Sequence, residues 1–354
     1  MSPDGGSPPV SYVMPVLNEE HHLAEAVAAV LAQVYAGPQE VILALGASSD
    51  ATGEIAAGLA AADARVRLVD NPVSHISAGL NRAIAAARHP IIVRVDAHAT
   101  LPPGYTAALV AALDRSGAAV VGGLMVARGA SPVQRSVARA YNSPFGLGGG
   151  TYHGADTEGE AESAYLGVFR ADALRAVGGY DETLLRGEDW ELARRLRAGG
   201  HRVWLVPSVR VAYWPRATFP QLARQFYATG AWRGELVRRQ RATPLRYLAP
   251  PAVVCALGCA PAAAAALVAA RPAGPARLLL AAAASAPLLY GAGLAAVSGR
   301  LGAPTANDRA RDAAVLATMH TSWGLGFLRG LAVGARGTVD RSRVRAQRGV
   351  RAAG

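Results

Sequence analysis

The first hundred residues repeat one pattern: a short apolar run, a polar turn, then apolar positions at helical spacing. Val10-Ser11-Tyr12-Val13-Met14-Pro15-Val16 predicts a strand, and Asn18-Glu19-Glu20 then opens a helix with apolar positions at Leu23, Val27, Val30 and Leu31. Residues 41–45 predict a second strand. It ends in Gly46-Ala47-Ser48-Ser49-Asp50-Ala51-Thr52, a small-residue turn whose Asp or Ser can cap a helix from about Gly53. Residues 66–69 predict a third strand, followed by Asn71-Pro72 and a helix over 77–88. The run Ile91-Ile92-Val93-Arg94-Val95 is the fourth, buried on both faces. Four strands alternating with helices imply an α/β domain with a mostly parallel central sheet and right-handed crossovers.

Further on, the pattern predicts a helix to about Ser116, strands over 118–125 and 165–170, and a helix over 171–177 closed by Gly178-Gly179-Tyr180-Asp181. Another helix begins at Glu188-Asp189-Trp190, with Trp190, Ala193 and Leu196 on one core-facing stripe; a strand over 201–207 and a second over 209–214 follow. Residues 141–159 are loose and Gly-rich, a composition suited to a lid beside a site.

The C-terminal part changes character. Residues 248–270 carry no charge over 23 positions and 278–298 none over 21, each long enough for a hydrocarbon core of about 30 Å. Two transmembrane spans are expected, joined by a short outside loop over 271–277. A shorter apolar stretch, 313–327, makes the segment 313–334 read as interfacial or re-entrant. The tail from 336 to 354 is Arg-rich and belongs inside by the positive-inside rule. The expected organisation is a cytoplasmic domain over 1–247, its nucleotide-binding half 10–125 and acceptor half 126–247, then a membrane region over 248–335 and the basic tail.

Composition sharpens this reading. The chain is 51% hydrophobic with a net charge of +11, and all 36 basic residues are Arg. Arg233, Arg238, Arg239, Arg241 and Arg246 fall just before the first apolar span, so the basic excess points to an anionic membrane surface and not to nucleic acid. Cys255 and Cys259 both lie inside that span, where they read as inert packing residues, indicating neither a disulfide framework nor a zinc site. Residues 1–9 lack a basic region followed by an apolar core, which argues against a cleaved signal peptide and for a cytoplasmic first domain.

The chemistry gathers at Asp96-Ala97-His98. The pair closes a buried strand, and in open α/β sheets ligands bind beyond the carboxyl ends of such strands. As i and i+2 in extended chain, Asp96 and His98 can face one divalent cation. The alternative is a solvated cap and a surface imidazole.

These segments together resemble family 2 glycosyltransferases with the GT-A fold. The resemblance runs through Val13-Met14-Pro15-Val16-Leu17-Asn18-Glu19-Glu20, Ser48-Ser49-Asp50-Ala51-Thr52, Asn71 with Ala78-Gly79-Leu80-Asn81, Asp96-Ala97-His98, Gly178-Gly179-Tyr180-Asp181-Glu182 and Arg186-Gly187-Glu188-Asp189. It is nearest the branch making bacterial exopolysaccharide, of the succinoglycan ExoA type, and covers about two thirds of the chain in order. It implies that Pro15, Asn18, Glu19, Asp50, Asn81 and Asp96 bind a nucleotide-sugar donor. It further implies that Asp96 and His98 hold Mn²⁺ or Mg²⁺, that Asp189 is the catalytic base with Glu188 beside it, and that transfer inverts the anomeric carbon. The implied acceptor is a hydroxyl, on a lipid-linked saccharide in cell-surface polysaccharide synthesis. Transfer to polyprenyl phosphate and a catalytically silent nucleotide-binding membrane subunit are the competing readings. Two departures stand out. Leu45-Gly46 replaces the acid that usually contacts the base, and Gln221-Leu222-Ala223-Arg224-Gln225 does not meet the Gln-x-x-Arg-Trp motif of processive synthases.

Overall fold

The structure is a computed structural model and describes residues 6–147, 157–240 and 243–338. The chain forms two compact units: Met1–Val126 with Gly150–Tyr213, and Ala127–Gly149 with Trp214–Gly354. The Gly-rich centre of the expected lid, the tail beyond 338 and Arg241 lie outside the described residues.

In the first unit the βα pattern becomes β1 (Val10–Val16), α1 (Leu23–Leu31), β2 (Gln39–Leu45), α2 (Thr52–Ala62), β3 (Val66–Asp70), α3 (Ile76–Ala86), β4 (Ile91–Arg94), α4 (Tyr105–Ser116) and β5 (Val120–Ala127). After α5 (Pro132–Tyr141), which belongs to the second unit, come β6 (Gly159–Glu160), β7 (Tyr165–Arg170), α6 (Ala171–Ala176), α7 (Glu188–Ala198) and β8 (Val203–Tyr213). The strands form one eight-stranded sheet in the order β3-β2-β1-β4-β7-β5-β8-β6.

The sheet is mixed, which corrects the expectation of a mostly parallel one. β1, β2, β3 and β4 are parallel, but β7 lies between β4 and β5 and runs antiparallel to both, and β6 runs antiparallel to β8. Strands buried on both faces carry the same apolar pattern in either direction, so composition could not report the reversal. β8 is a single strand where two were expected. Pro207 interrupts the pattern but lies beyond the residues of β8 that pair with the short β6, where a missing N–H deprives that neighbour of nothing.

Side chains alternate between two cores. Tyr12, Met14 and Val16 of β1 pack with Val27 and Val30 of α1 and Leu109 and Leu113 of α4 on one face. Val13, Ile42 and Ala44 pack with Leu80 and Ile84 of α3 and Leu192 and Leu196 of α7 on the other. Because β2 flanks β1 on one side and β4 on the other, the chain reverses its winding direction between β1 and β4, and a crevice at the carboxyl ends of these strands is the expected ligand position.

The second unit holds α5, then α8 (Phe219–Gln240), a single 3-10 turn at Leu245–Leu248, α9 (Ala249–Ala270), α10 (Gly274–Ala284), α11 (Ala286–Arg300) and α12 (Ala306–Val333). α5 was not legible as a helix, although a capping box between Ser131 and Gln134 opens it. Residues 313–333 belong to a 28-residue helix, longer than the apolar stretch suggested, whose buried face packs on α8. Gly230 and Gly234 of α8 lie on the backbone of Trp323 and Phe327 of α12, and Gly326 and Gly330 of α12 on that of Tyr227 and Ala231 of α8, so closely that a Cβ on any of the four would strike opposing backbone. Arg139 of α5 forms a two-pronged ion pair with Asp312 of α12, whose side chain is fully buried.

Among the described residues one helix, Leu245–Ala270, is long and apolar enough to cross a membrane. The expected second span is broken: α10 and α11 meet at a 45° bend, and Pro287 in the first turn of α11 explains the break. Cys255 and Cys259 are exposed on α9, so they are not packing residues within the chain.

Candidate active site

The end of β1 and the turn after β2 are stitched together. Asn18 takes a left-handed backbone conformation at φ 54°, a region that Asn tolerates better than most side chains. Its N–H donates to Ser48 Oγ at 3.0 Å, and its Oδ1 accepts from Ser49 N–H at 2.7 Å. Glu19 N–H donates to Thr52 Oγ1 at 2.7 Å. Asp50 accepts from Thr52 N–H and from Glu20 N–H, so it supports the first turn of α2 as well as this loop. Burial alone would raise its pKa, but the hydrogen bonds from Thr52 and Glu20 outweigh it and leave the carboxyl below its ordinary value. Pro15, at the end of β1, faces Gly79 of α3, where a Cβ would also meet Asn71 Nδ2 at 2.8 Å.

Where the usual base-contacting acid is missing, Gly46 lies against Ser74. Ser74 Oγ accepts from Ala47 N–H at 2.8 Å, and a Cβ on Gly46 would come within 3.1 Å of the same oxygen.

The expectation that Asp96 and His98 lie in extended chain is not met. β4 ends at Arg94, and Ala99 N–H donates to the Asp96 carbonyl at 2.9 Å, closing a turn. The two side chains consequently meet different partners. His98 Nδ1 lies 2.9 Å from Glu19 Oε1, while Asp96 Oδ1 accepts from Arg94 Nε and Nη2, both at 3.3 Å.

Arg94 is the residue that sequence reasoning missed. Only 5% exposed, its guanidinium also donates to Glu188 Oε1 at 3.3 Å and to Asp189 Oδ1, and it lies over the Tyr180 ring at 5.7 Å. A signal existed: a charged residue inside Ile91-Ile92-Val93-Arg94-Val95, a run that reads as buried on both faces, requires acidic partners in the fold. Burial alone would lower the Arg94 pKa, but the fields of Asp96 and Glu188 outweigh it and hold the guanidinium well above its ordinary value. Burial pushes the Tyr180 phenol up to about 12.

The two acids that open α7 are unequal. Glu188 is buried, whereas the Asp189 side chain is 34% exposed. Asp189 Oδ1 is held by Arg94; Oδ2 has no hydrogen-bond partner among the described residues. The loop that delivers them is pinned on both flanks. Asn81 of α3 donates to the Tyr180 carbonyl at 2.8 Å and to Glu182 Oε1 at 2.9 Å, and accepts from Tyr180 N–H at 2.8 Å. From the other side Arg195 donates to the carbonyls of Val177 and Gly179. The amide of Asn81 is thus engaged with the loop that carries the acids.

Three carboxylates against one guanidinium leave this cluster with two formal negative charges. Glu19 Oε2 is buried beside His98 with no hydrogen-bond partner among the described residues. Such a donor set fits a hard divalent cation, which commonly takes one or two protein carboxylates and draws the rest of its shell from phosphate oxygens and water. Among the described residues no three His, Cys, Asp or Glu side chains gather closely enough to hold a metal on their own.

The model of the family described as glycosyl transferase family 2 matches residues 11–177. The chain is 36% identical over 244 residues to the succinoglycan biosynthesis protein ExoA of Rhizobium meliloti (strain 1021), an alignment covering 68% of this chain and 74% of that protein. The fold is similar to that of the mannosyltransferase PcManGT from Pyrobaculum calidifontis, solved in complex with GDP-Man and Mn²⁺. The TM-score is 0.61 at 20% identity, over 93% of this chain and 88% of that one. The mixed α/β sheet is accordingly GT-A-like, and on the extent of the sequence match the chain belongs to the family 2 glycosyltransferases, homologous to ExoA.

Proposed function

We propose that the enzyme is an inverting, cation-dependent transferase that moves a sugar from a nucleotide diphosphate to a hydroxyl of a lipid-linked saccharide. The pathway would be cell-surface polysaccharide synthesis, as the name of the ExoA relative suggests. The observation that carries the chemistry is the state of Asp189: one oxygen is anchored by a buried guanidinium, and the other has no partner and is reachable from solvent.

In this reading Asp189 Oδ2 takes the proton of the acceptor hydroxyl as the hydroxyl oxygen bonds to the anomeric carbon. The bond from that carbon to the diphosphate oxygen breaks on the opposite face, so one displacement inverts the configuration. Asp96 and His98, with Glu19 against His98, would hold the cation, which when bound neutralises charge growing on the departing diphosphate. Glu188, buried and paired with Arg94, acts as a brace for α7. The loop Asn18–Glu20 and the turn around Asp50 form the wall against which a nucleoside is held, and Pro15 closes its floor. With Leu45-Gly46 and Ser74 at the base position, the donor is assigned no further than a nucleotide-diphosphate sugar. The catalytic unit is cytoplasmic, and α9 with the bent α10–α11 pair makes the enzyme a multi-pass membrane protein.

The test is single-turnover transfer at saturating donor. Asp189→Asn keeps size and one hydrogen-bonding oxygen but cannot accept a proton, so turnover falls by about 10²–10⁴-fold, the usual contribution of general base catalysis, while donor still binds. Glu188→Gln costs less turnover and more melting temperature. Asp189→Asn retaining more than about a tenth of wild-type turnover would remove the base assignment. Efficient transfer to polyprenyl phosphate alone would replace the proposed acceptor.

A further inference from the structure

Arg94 reaches three carboxylates delivered by two separate parts of the fold, Asp96 after β4 and Glu188 with Asp189 at the start of α7. Three features go beyond what a structural ion pair requires. First, the guanidinium uses Nε, Nη1 and Nη2, so its fixed plane dictates where the carboxylates lie relative to one another. Second, Tyr180 lies against it at 5.7 Å, and the Tyr180 backbone is itself clamped by Asn81, so the arginine has little freedom to swing. Third, Arg94 takes only one oxygen of Asp189.

We propose that Arg94 is a positioning residue for sugar transfer: it fixes the Asp189 carboxylate so that Oδ2 is left to the acceptor hydroxyl, and it sets the distance of that oxygen from the Asp96 side of the site. The proposal rests on Asp189 being the base. Proton-transfer catalysis is sensitive to displacements of an ångström or less. A carboxylate on the first turn of α7 with no lateral restraint would sample several rotamers, and Arg94 removes that freedom. Lysine cannot substitute, because a single ammonium presents no planar fork to three acids.

The experiment is a double-mutant cycle between Arg94→Lys and Asp189→Asn in the full-length enzyme, read as single-turnover transfer at saturating donor and Mn²⁺, with melting temperatures alongside. If Arg94 works through Asp189, Arg94→Lys lowers turnover by about 10–100-fold in the wild-type background, the scale seen when a supporting partner of an active-site group is lost. In the Asp189→Asn background the same change costs no more than about 3-fold, since the oxygen it positions no longer accepts a proton. A merely structural arginine would lower the melting temperature and cost the same factor in both backgrounds. Should Arg94→Lys melt too early to assay, Tyr180→Leu carries the same cycle by removing the restraining ring while leaving every charge in place. Equal losses in both backgrounds, or Arg94→Lys with wild-type turnover beside an inactive Asp189→Asn, would overturn the positioning role. An active Asp189→Asn would instead overturn the base assignment on which it rests.

Discussion

At the scale of single residues, two acids of the site each satisfy a local requirement and leave one oxygen without a partner among the described residues. Glu19 binds His98 through Oε1 and keeps Oε2 without a partner, and Asp189 does the same around Arg94. The cation assignment is tested on this level. The expected outcome is that Mn²⁺ strengthens nucleotide-sugar binding in wild type and that Asp96→Ala abolishes that gain by deleting a carboxylate from the negative cluster. His98→Ala reduces the gain by about 10–100-fold without abolishing it, because Asp96 remains. Titration calorimetry of donor with Mn²⁺ and with chelator measures both, and an unchanged Mn²⁺ effect in Asp96→Ala would refute the assignment. Asp96 and His98 could be picked out because they close an apolar run, whereas Asn18, Glu19, Asp50, Glu188 and Asp189 were singled out by the family resemblance. Their partners were not legible in the sequence. That Asp96 turns to Arg94 and His98 to Glu19 depends on where β4 stops, and a boundary of one or two residues is below the resolution of hydrophobic periodicity. Arg94 was visible as an anomaly, a charge inside a buried strand, but two of the three acids it pairs with, Glu188 and Asp189, lie 94 and 95 residues away along the chain.

At the scale of elements, what could be read was whatever repeats. The four βα units carry their period openly, and each strand and helix appears close to its expected place. The direction of β7, the continuity of β8 and the length of α12 were hidden, because all three follow from which neighbour an element meets. The α12 case shows the physics. Polar and small residues dilute its apolar stripe, yet Gly326 and Gly330 lie on Tyr227 and Ala231 of α8, while Gly230 and Gly234 lie on Trp323 and Phe327. Close backbone approach replaces large side chains as the source of packing there. Gly330→Ala therefore overpacks the crossing and should cost about 1–3 kcal/mol, seen as a lower melting temperature in detergent. Gly258→Ala on α9, where an added Cβ meets nothing within 4 Å, is the control; it should leave stability unchanged or raise it by about 0.4–1 kcal/mol. Equal melting of Gly330→Ala and wild type would mean that the crossing is looser than the contact geometry implies.

At the scale of the whole molecule, the proposed two-span topology can be set beside a packing contact. Helix α8 precedes the apolar α9 and α12 follows the last apolar helix, yet the two pack directly on each other, and Arg139 of α5 grips Asp312 of α12 from a third direction. The proposed topology places α8 and the start of α12 on one side of the bilayer, with the chain between them crossing twice. In that arrangement α9 and the α10–α11 pair both cross, and the 45° bend is then a kink within one span instead of the apex of a re-entrant loop. Charge agrees: Arg300 ends α11, Arg309 and Arg311 follow it, and cytoplasmic loops are the ones enriched in arginine. Impermeant maleimide labelling of single-cysteine variants, in a background with Cys255 and Cys259 replaced by Ala, decides it. Ala273→Cys, in the exposed turn between α9 and α10, should label in intact cells; Asn307→Cys, exposed at the start of α12, should label only after permeabilisation. A re-entrant pair would place residue 307 outside, and labelling of Asn307→Cys in intact cells would establish that instead. In that case α12 could reach α8 only by unthreading the glycine crossing, so the Gly330→Ala penalty would vanish together with the second span.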